Sequence, residues 1–149
     1  MIIYIGADHR GFNLKETLKK FIKEEIGYEV VDLGNEQLDE NDDYPDFAMK
    51  VAKEVQSDSN TRRGILICGS GVGMDIAANK FKGIRSVLAI NSDQVLLSRK
   101  DDDTNVLSLA SDFINEESAK QVVNAWLRTP FSGEEKNKRR LVKISGLEN

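Results

Sequence analysis

The sequence predicts an α/β fold in which a parallel five-stranded sheet is covered by helices on both faces. Five short apolar runs, rich in β-branched residues, alternate with stretches whose apolar residues recur at helical spacing. The runs are apolar at nearly every position, which is typical of strands buried on both faces. No repeat or proline-rich linker divides the 149 residues. We therefore expect one doubly wound domain that spans residues 1–149.

The N-terminal half predicts three strands and two helices. Apolar runs at residues 2–6, 29–33 and 64–68 are the predicted strands. Between them lie two stretches whose apolar residues fall on one helical face, and each stretch predicts an amphipathic helix. The two faces consist of Leu14, Leu18, Phe21 and Ile22 in the first helix and of Ala48, Val51, Ala52 and Val55 in the second.

The C-terminal half continues the alternation. A third helix is predicted just after Gly71 and a fourth near Ser92, and each precedes an apolar run that predicts a strand, at 86–90 and 105–109. A fifth helix is expected at about 116–127. The charged segment 134–144 predicts a C-terminal helix, which could reach a neighbouring subunit.

Composition and charge exclude several classes of function. Lysine and arginine number 21 against 25 aspartates and glutamates, a net charge of −4, which argues against a general nucleic-acid binder. No apolar run approaches the roughly 20 residues that cross a bilayer, and the apolar start at residues 1–5 is too short for a signal peptide. One cysteine and one histidine exclude an internal disulfide and a Cys/His zinc site. We expect a cytoplasmic protein that binds neither nucleic acid nor membrane.

A glycine-rich turn follows the third predicted strand, where a doubly wound sheet binds its ligands. Gly69, Gly71 and Gly73 lead directly from that strand into a predicted helix. The backbone N–H groups of such a loop can converge on an anion, with the positive end of the helix behind them. The spacing matches neither a Walker A loop nor the dinucleotide fingerprint. The alternative interpretation is a tight turn whose glycines only relieve packing.

Cys68 and His9 are the candidate reactive side chains at this edge of the predicted sheet. Cys68 directly precedes the glycine loop, and a thiol at a helix N-terminus tends to ionise, so it could act as a nucleophile or a general base. Alternatively, Cys68 is an inert buried residue. His9 lies between Asp8 and Arg10 after the first strand, where a functional and a structural role are equally open.

Two charged stretches lie further along the chain. Asp101, Asp102 and Asp103 are consecutive, so they cannot all face one ion, and we interpret them as an acidic loop rather than a metal site. The basic residues of the last helix are interpreted as a solvated face, although three of them share a side and could reach an anionic substrate. They are Lys136, Lys138, Arg139 and Arg140.

Seven motifs, in the same order along essentially the whole chain, resemble the type B ribose-5-phosphate isomerase family. That family also includes subunits of galactose-6-phosphate isomerase. The motifs are Gly6-Ala7-Asp8-His9-Arg10-Gly11-Phe12, Asp43-Tyr44-Pro45-Asp46-Phe47-Ala48, Cys68-Gly69-Ser70-Gly71-Val72-Gly73, Ala77-Ala78-Asn79-Lys80, Gly83-Ile84-Arg85, Leu97-Ser98-Arg99 and Asp103-Thr104-Asn105-Val106-Leu107.

The resemblance implies a Rossmann-like three-layer α/β/α sandwich that isomerises sugar phosphates without a metal or cofactor. It also implies a homodimer or a dimer of dimers with sites shared across the interface. Cys68 would be the base that moves a proton between C1 and C2 through an enediolate, and Ser70 would shuttle protons between the two oxygens. Asp8 and His9 match residues on the sugar and phosphate sides of the substrate. The amides that would hold the developing oxyanion belong to Gly69, Gly71, Val72 and Gly73.

The chain departs from the family pattern at several charged positions. Asp101 and Asp102 stand where a ring-opening His and an Asn are usual, and we expect Asp101 to act as the acid and Asp102 to bind the sugar. Asp112 replaces a phosphate-binding Arg, and a carboxylate there would repel phosphate. With one inserted residue, Lys136 and Arg140 align with the remaining phosphate-binding arginines.

Three functions remain open from the sequence. The first is the isomerisation of ribose 5-phosphate to ribulose 5-phosphate, in the pentose phosphate pathway. The second is the isomerisation of another sugar phosphate, such as a hexose phosphate or a short, open-chain sugar that needs no ring-opening His. The third is a non-catalytic partner subunit that binds sugar phosphates. The intact Cys68 and glycine loop argue against the third.

Overall fold

A computed structural model describes residues 1–148 and shows one sheet of five parallel strands. The strands are β1 (Ile2–Ala7), β2 (Glu29–Asp32), β3 (Arg62–Cys68), β4 (Ser86–Leu88) and β5 (Val106–Ala110). Their order across the sheet is β2-β1-β3-β5-β4. The predicted five-stranded parallel sheet is confirmed. The order, which the sequence did not predict, places β3 and the cysteine at its end in the centre of the sheet.

Helices connect the strands and flank the sheet. They are α1 (Phe12–Phe21), α2 (Tyr44–Ser57), α3 (Val72–Ala78), α4 (Ser92–Asp102), α5 (Glu116–Arg128) and α6 (Glu135–Ser145). A π-helical turn over Ile22–Ile26 extends α1, and Gly27, with φ of 85°, ends it. The six predicted helices are thus present near their predicted positions.

The helices form two layers, one on each face of the sheet. On one face, α1, α4 and α5 pack against residues such as Ile5 and Ile65. On the other face, α2 and α3 pack against Tyr4, Leu66 and Val106. Because strand residues alternate between the faces, each central strand supplies both cores. The predicted three-layer α/β/α sandwich is confirmed.

The fourth strand is shorter than predicted. It ends at Leu88 rather than at residue 90, and Ile90 is 75% exposed. Beyond it the chain turns to start α4, since the Asn91 side chain accepts a hydrogen bond from Gln94 N at 2.9 Å. The backbone N–H of Ile90 donates to the Gln94 side chain instead of to a neighbouring strand. Helix capping thus ends the strand although its sequence remains apolar.

Helix α6 lies beside α4, outside the sandwich. Asn137 is its one buried residue, while Val142 is 72% exposed. No helix among residues 1–148 combines the length and apolar character that crossing a membrane requires.

Candidate active site

Strand β3 delivers Cys68 and the glycine loop to the carboxyl edge of the sheet. Cys68 is 4% exposed and packs in the core beneath α2 and α3. Its carbonyl accepts hydrogen bonds from the backbone N–H and the hydroxyl of Ser111, at 3.0 and 3.1 Å. These bonds tie the end of β3 to the loop that follows β5. The position of the thiol is therefore fixed by the sheet itself.

The glycines of the loop are required by conformation and by close contacts. Gly71 has φ of 73°, and a Cβ there would lie 2.5 Å from Leu88 Cδ1. A Cβ on Gly73 would lie 2.6 Å from the Tyr44 ring. The exposed Ser70 hydroxyl accepts a long bond, 3.4 Å, from the N–H of Val72. Packing thus explains part of the glycine pattern, and the same packing leaves a small loop whose amides start α3.

Asp8 builds the turn that follows β1. It is 5% exposed, and its Oδ1 accepts hydrogen bonds from the backbone N–H groups of Arg10 and Gly11, at 3.0 and 3.1 Å. The N–H of Asp8 donates to the carbonyl of Ile67 in β3 at 3.2 Å. This turn holds His9 and Arg10 beside the glycine loop.

His9 is held by a carboxylate, Asp42, that no sequence motif indicates. Its ring Nδ1 lies 2.8 Å from Asp42 Oδ1, and its backbone N–H donates to the same oxygen at 3.0 Å. The hydrogen bond with Asp42 raises the pKa of His9, Asp8 adds to the shift, and partial burial and Arg10 oppose it. The ring is therefore more readily protonated than an isolated histidine.

Arg10 and Asp112 form an ion pair at the mouth of the glycine loop. The Arg10 guanidinium lies so close to Gly69 that a Cβ on this glycine would be 2.3 Å from its central carbon. The N–H of Asp112 donates to the Gly69 carbonyl at 3.0 Å. The carboxylate of Asp112, which we expected to repel phosphate, is paired with Arg10 in this structure.

Eight predicted site residues therefore lie together at one edge of the sheet. We call them the carboxyl-edge cluster: Asp8, His9, Cys68, Gly69, Ser70, Gly71, Val72 and Gly73.

Asp101, Asp102 and Arg140 belong to a second group at the other end of the sheet. Asp101 and Asp102 end α4, just before the start of β5, and Arg85, just before β4, donates to the Asp102 carbonyl at 2.9 Å. The far end of β5 is the one that pairs with Cys68. Because strands rise roughly 3.3 Å per residue, the two ends of β5 lie about 13 Å apart.

Asn137 joins this second group together. Its buried amide nitrogen donates to Asp101 Oδ1 at 3.1 Å, and its oxygen accepts from Arg140 at 3.3 Å.

Burial raises the pKa of Asp102, the nearby Asp101 adds to the shift, and Arg140 and Arg85 oppose it. We call Asp101, Asp102, Asn137 and Arg140 the α4–α6 cluster. Lys136 lies next to it on α6, but its ammonium pairs with Glu134 at 2.9 Å.

A single chain thus separates the predicted site residues into two clusters. Asp112 lies at the carboxyl edge, away from Asp101 and Asp102, so the three carboxylates do not face one cleft. A cavity of about 690 Å³ adjoins the α4–α6 cluster and is lined by Asp102 but by none of the carboxyl-edge cluster. Among residues 1–148, no group of three or more Cys, His, Asp or Glu side chains is placed to hold a metal ion.

Comparison with known proteins agrees with this architecture. A family described as Ribose/Galactose Isomerase matches residues 3–144. The chain belongs to this family. A family relative from Escherichia coli K12, ribose-5-phosphate isomerase B, is 44% identical over 88% of this chain and 86% of its own length. D-erythrulose-4-phosphate isomerase from Pectobacterium atrosepticum is 37% identical over 88% of this chain and 85% of its own.

The family fold is also shared in three dimensions. The crystal structure of ribose-5-phosphate isomerase B from Mycoplasma genitalium, with bound ribulose-5-phosphate, superposes with a TM-score of 0.93 at 41% identity. The match covers 97% of this chain and 94% of that one. The resemblance stated from the sequence motifs is therefore confirmed.

Proposed function

We propose that this chain isomerises ribose 5-phosphate to ribulose 5-phosphate, without a metal, through an enediolate. The observation that carries the proposal is Cys68, buried at the end of the central strand and followed at once by a glycine loop that opens a helix. The family relatives support it, since two of them are named as ribose-5-phosphate isomerases.

The proposed chemistry uses groups of the carboxyl-edge cluster. The Cys68 thiolate removes the proton from C2 of the open-chain aldose, and the electron pair forms the enediolate. The same proton is returned to C1, while Ser70 passes a proton from O2 to O1, so that the aldehyde becomes a hydroxyl and C2 becomes the ketone. Backbone amides of residues 69–73 stabilise the negative oxygen, and removal of one such donor typically costs about 10²–10³-fold in rate.

The active site is completed, in this proposal, by a second copy of the chain. The α4–α6 cluster lies at the other end of the sheet from Cys68, so its Asp101 and Arg140 serve the site of a partner rather than their own. Exposed apolar side chains support such an interface. Val72 and Ile76 on α3 are 45% and 55% exposed, and Val142 on α6 is 72% exposed.

Phosphate binding is assigned to basic groups from both clusters. His9 supplies one of them, because Asp42 favours its protonated form. Arg140 and Lys136 supply the others from the second copy, on one side of α6. Lysine offers a point charge rather than the two-pronged fork of an arginine. We therefore expect weaker phosphate binding than a site built from arginines would give.

Turnover of ribose 5-phosphate by the purified chain tests the proposal. Cys68→Ala should lower kcat by about 10²–10⁴-fold, the usual contribution of a general base, with no loss of folded structure by circular dichroism. Ser59→Ala, at an exposed position near the other end of β3, is the matched control and should retain full activity. Full turnover by Cys68→Ala would contradict the assignment of the base.

A tetrose phosphate is a second candidate substrate, favoured by the contacts of Asp101. Asn137 donates to Asp101 Oδ1, so a contact within the same chain already occupies one oxygen of the group that would have to act as the ring-opening acid. An aldotetrose 4-phosphate carries its phosphate on the oxygen that would close a five-membered ring, so it needs no such acid. Higher kcat/KM for erythrose 4-phosphate than for ribose 5-phosphate would select this function. Hexose phosphates belong in the same assay, and binding without turnover would indicate a non-catalytic subunit.

A further inference from the structure

We infer that Asp42 is a positioning residue for His9: it orients the imidazole and keeps its positive charge available for the substrate phosphate, and Asn35 in turn holds Asp42. The inference rests on the proposed function, since it assumes that a sugar phosphate binds at the carboxyl edge. Asp42 lies in the loop between β2 and α2, which is 33 residues from His9 in sequence.

One oxygen of Asp42 fixes both the backbone and the ring of His9. Oδ1 accepts from the His9 backbone N–H at 3.0 Å and lies 2.8 Å from ring Nδ1. A carboxylate can only accept, so Nδ1 carries the hydrogen and Nε2 is the ring nitrogen left for another partner. The Asp42 side chain is 7% exposed and that of His9 is 32% exposed. The anchor is thus buried, and the ring it holds reaches solvent.

Asn35 and Lys15 connect this pair to the core. The Asn35 amide donates to the second oxygen of Asp42 at 3.1 Å. The backbone carbonyl of Asn35 accepts a hydrogen bond from the ammonium of Lys15, a fully buried residue of α1, at 3.1 Å. The residues between, 36–41, are all exposed. These bonds tie the exposed loop to the core and help to fix the position of Asp42.

The charges around His9 agree in sign with this role. Asp42 from the β2–α2 loop and Asp8 from the β1–α1 loop both favour the protonated ring, and Arg10 disfavours it. The β5–α5 loop supplies Asp112, which pairs with Arg10 and so weakens its repulsion. The β3–α3 loop supplies no charged side chain between residues 68 and 74. The excess of carboxylates keeps the ring cationic to higher pH than the ordinary 6.5.

The test uses the fact that His9 is the only histidine in the chain. NMR titration of its imidazole gives a single resonance set, needs no turnover, and reports both the tautomer and the pKa. Asp42→Asn preserves the size of the side chain but removes its charge, so the pKa of His9 should fall and the Nδ1–H tautomer should lose its preference. Glu40→Gln removes a charge from the same loop at an exposed position and should change neither.

Steady-state kinetics supply the second arm. At pH values above the pKa of His9, Asp42→Asn should raise KM for ribose 5-phosphate by about tenfold for each unit by which that pKa falls. At low pH, where the ring is protonated in both proteins, KM should be normal, and kcat should be unchanged throughout. In a His9→Gln background, Asp42→Asn should add nothing further. An unchanged His9 titration, or an equal rise in KM in both backgrounds, would overturn the inference. Because the titration is independent of activity, failure of the proposed function would leave it interpretable.

Discussion

The carboxyl-edge cluster and the α4–α6 cluster are built from different parts of the polypeptide. The first consists largely of backbone: the loop 69–73 follows a buried strand, and a Cβ on any of its glycines would overlap Arg10, Leu88 or Tyr44. The second consists of side chains on two helix ends, held together by the single buried residue of α6, Asn137. The loop 69–73 is held in place by the strand that precedes it, whereas the side chains of α6 are held in place by few contacts.

This difference matches most of the places where the chain departs from the family pattern. Asp101, Asp102 and Lys136 lie on α4 and α6, whereas Asp112 lies at the carboxyl edge, where it pairs with Arg10. Charges on helix ends can be exchanged at little cost in stability, because exposed ion pairs contribute roughly 0–1 kcal/mol. We infer that the carboxyl-edge cluster carries out the isomerisation, whereas changes in the α4–α6 cluster alter which sugar phosphate is bound.

Mixing two inactive variants provides the strongest test of the division between the clusters. Cys68→Ala damages one cluster and Asp101→Ala the other, and we expect each homo-oligomer to lose most of its turnover. Co-expressed chains should regain activity, because a mixed dimer contains one site in which both residues are intact. The measurement is kcat of the co-purified, doubly tagged heterodimer with ribose 5-phosphate.

The controls for this experiment are the two homo-oligomers carried through the same purification. If Cys68 and Asp101 of one chain served one site, every site in the mixture would be defective and no activity would return. That outcome, or wild-type turnover by Asp101→Ala alone, would contradict the shared site and the role of Asp101.

Substitution in the glycine loop should show how rigid the backbone-built cluster is. In Gly71→Ala, a side chain in the left-handed region costs about 1–3 kcal/mol, and its Cβ would also lie 2.5 Å from Leu88 Cδ1 and 3.0 Å from the Leu109 carbonyl carbon. We expect the free energy of unfolding, measured in urea, to fall by more than the cost of the left-handed backbone conformation alone. We also expect kcat to fall.

Gly27→Ala is the matched control for that substitution. Gly27 has φ of 85° and nothing within 4 Å of the position of a Cβ, and it lies at the end of the π-helical turn, outside both clusters. It should therefore show the conformational cost without the contact cost and keep full activity. Equal losses of stability in the two variants would indicate that packing around the loop is looser than the structure implies.

The fold and the carboxyl edge could be predicted because their signals are local. Apolar runs such as 64–68 indicate strands, and the order of Cys68, Gly69 and Gly71 places a small loop directly after one. The side chains that bind His9 and Arg10 could not be predicted, because no local pattern joins residues so far apart in sequence. Asp42 lies 33 residues from His9, and Asp112 lies 102 residues from Arg10.

The α4–α6 cluster shows a further limit of the sequence. Asn137 is an unremarkable residue in a charged tail, and only the packing of α6 against α4 shows that it is buried against Asp101. The roles of the site residues themselves remain predictions. Whether Asp101 and Arg140 serve the site of a second chain is answered by the mixed dimer rather than by the fold of one chain.

The smallest expected effect compares one carboxylate near each cluster, Asp75 on α3 and Asp102 on α4. Burial raises the pKa of both, although at Asp75 the hydroxyls of Ser86 and Ser108 oppose the shift. Oδ1 of Asp75 is in addition buried without a hydrogen-bond partner among residues 1–148. A raised carboxyl pKa means that the charged form destabilises the folded state. This penalty is complete above the raised pKa and disappears as the pH falls towards the ordinary value of 3.8.

Asp75→Asn should therefore stabilise the protein at pH 7 by about 1 kcal/mol, near the low end of the cost of an unpaired buried group because solvent still screens part of it. Asp102→Asn, at an exposed position, should gain less. Urea unfolding at several pH values measures both, and a gain at Asp75 that does not shrink as the pH falls towards 3.8 would point to packing rather than charge.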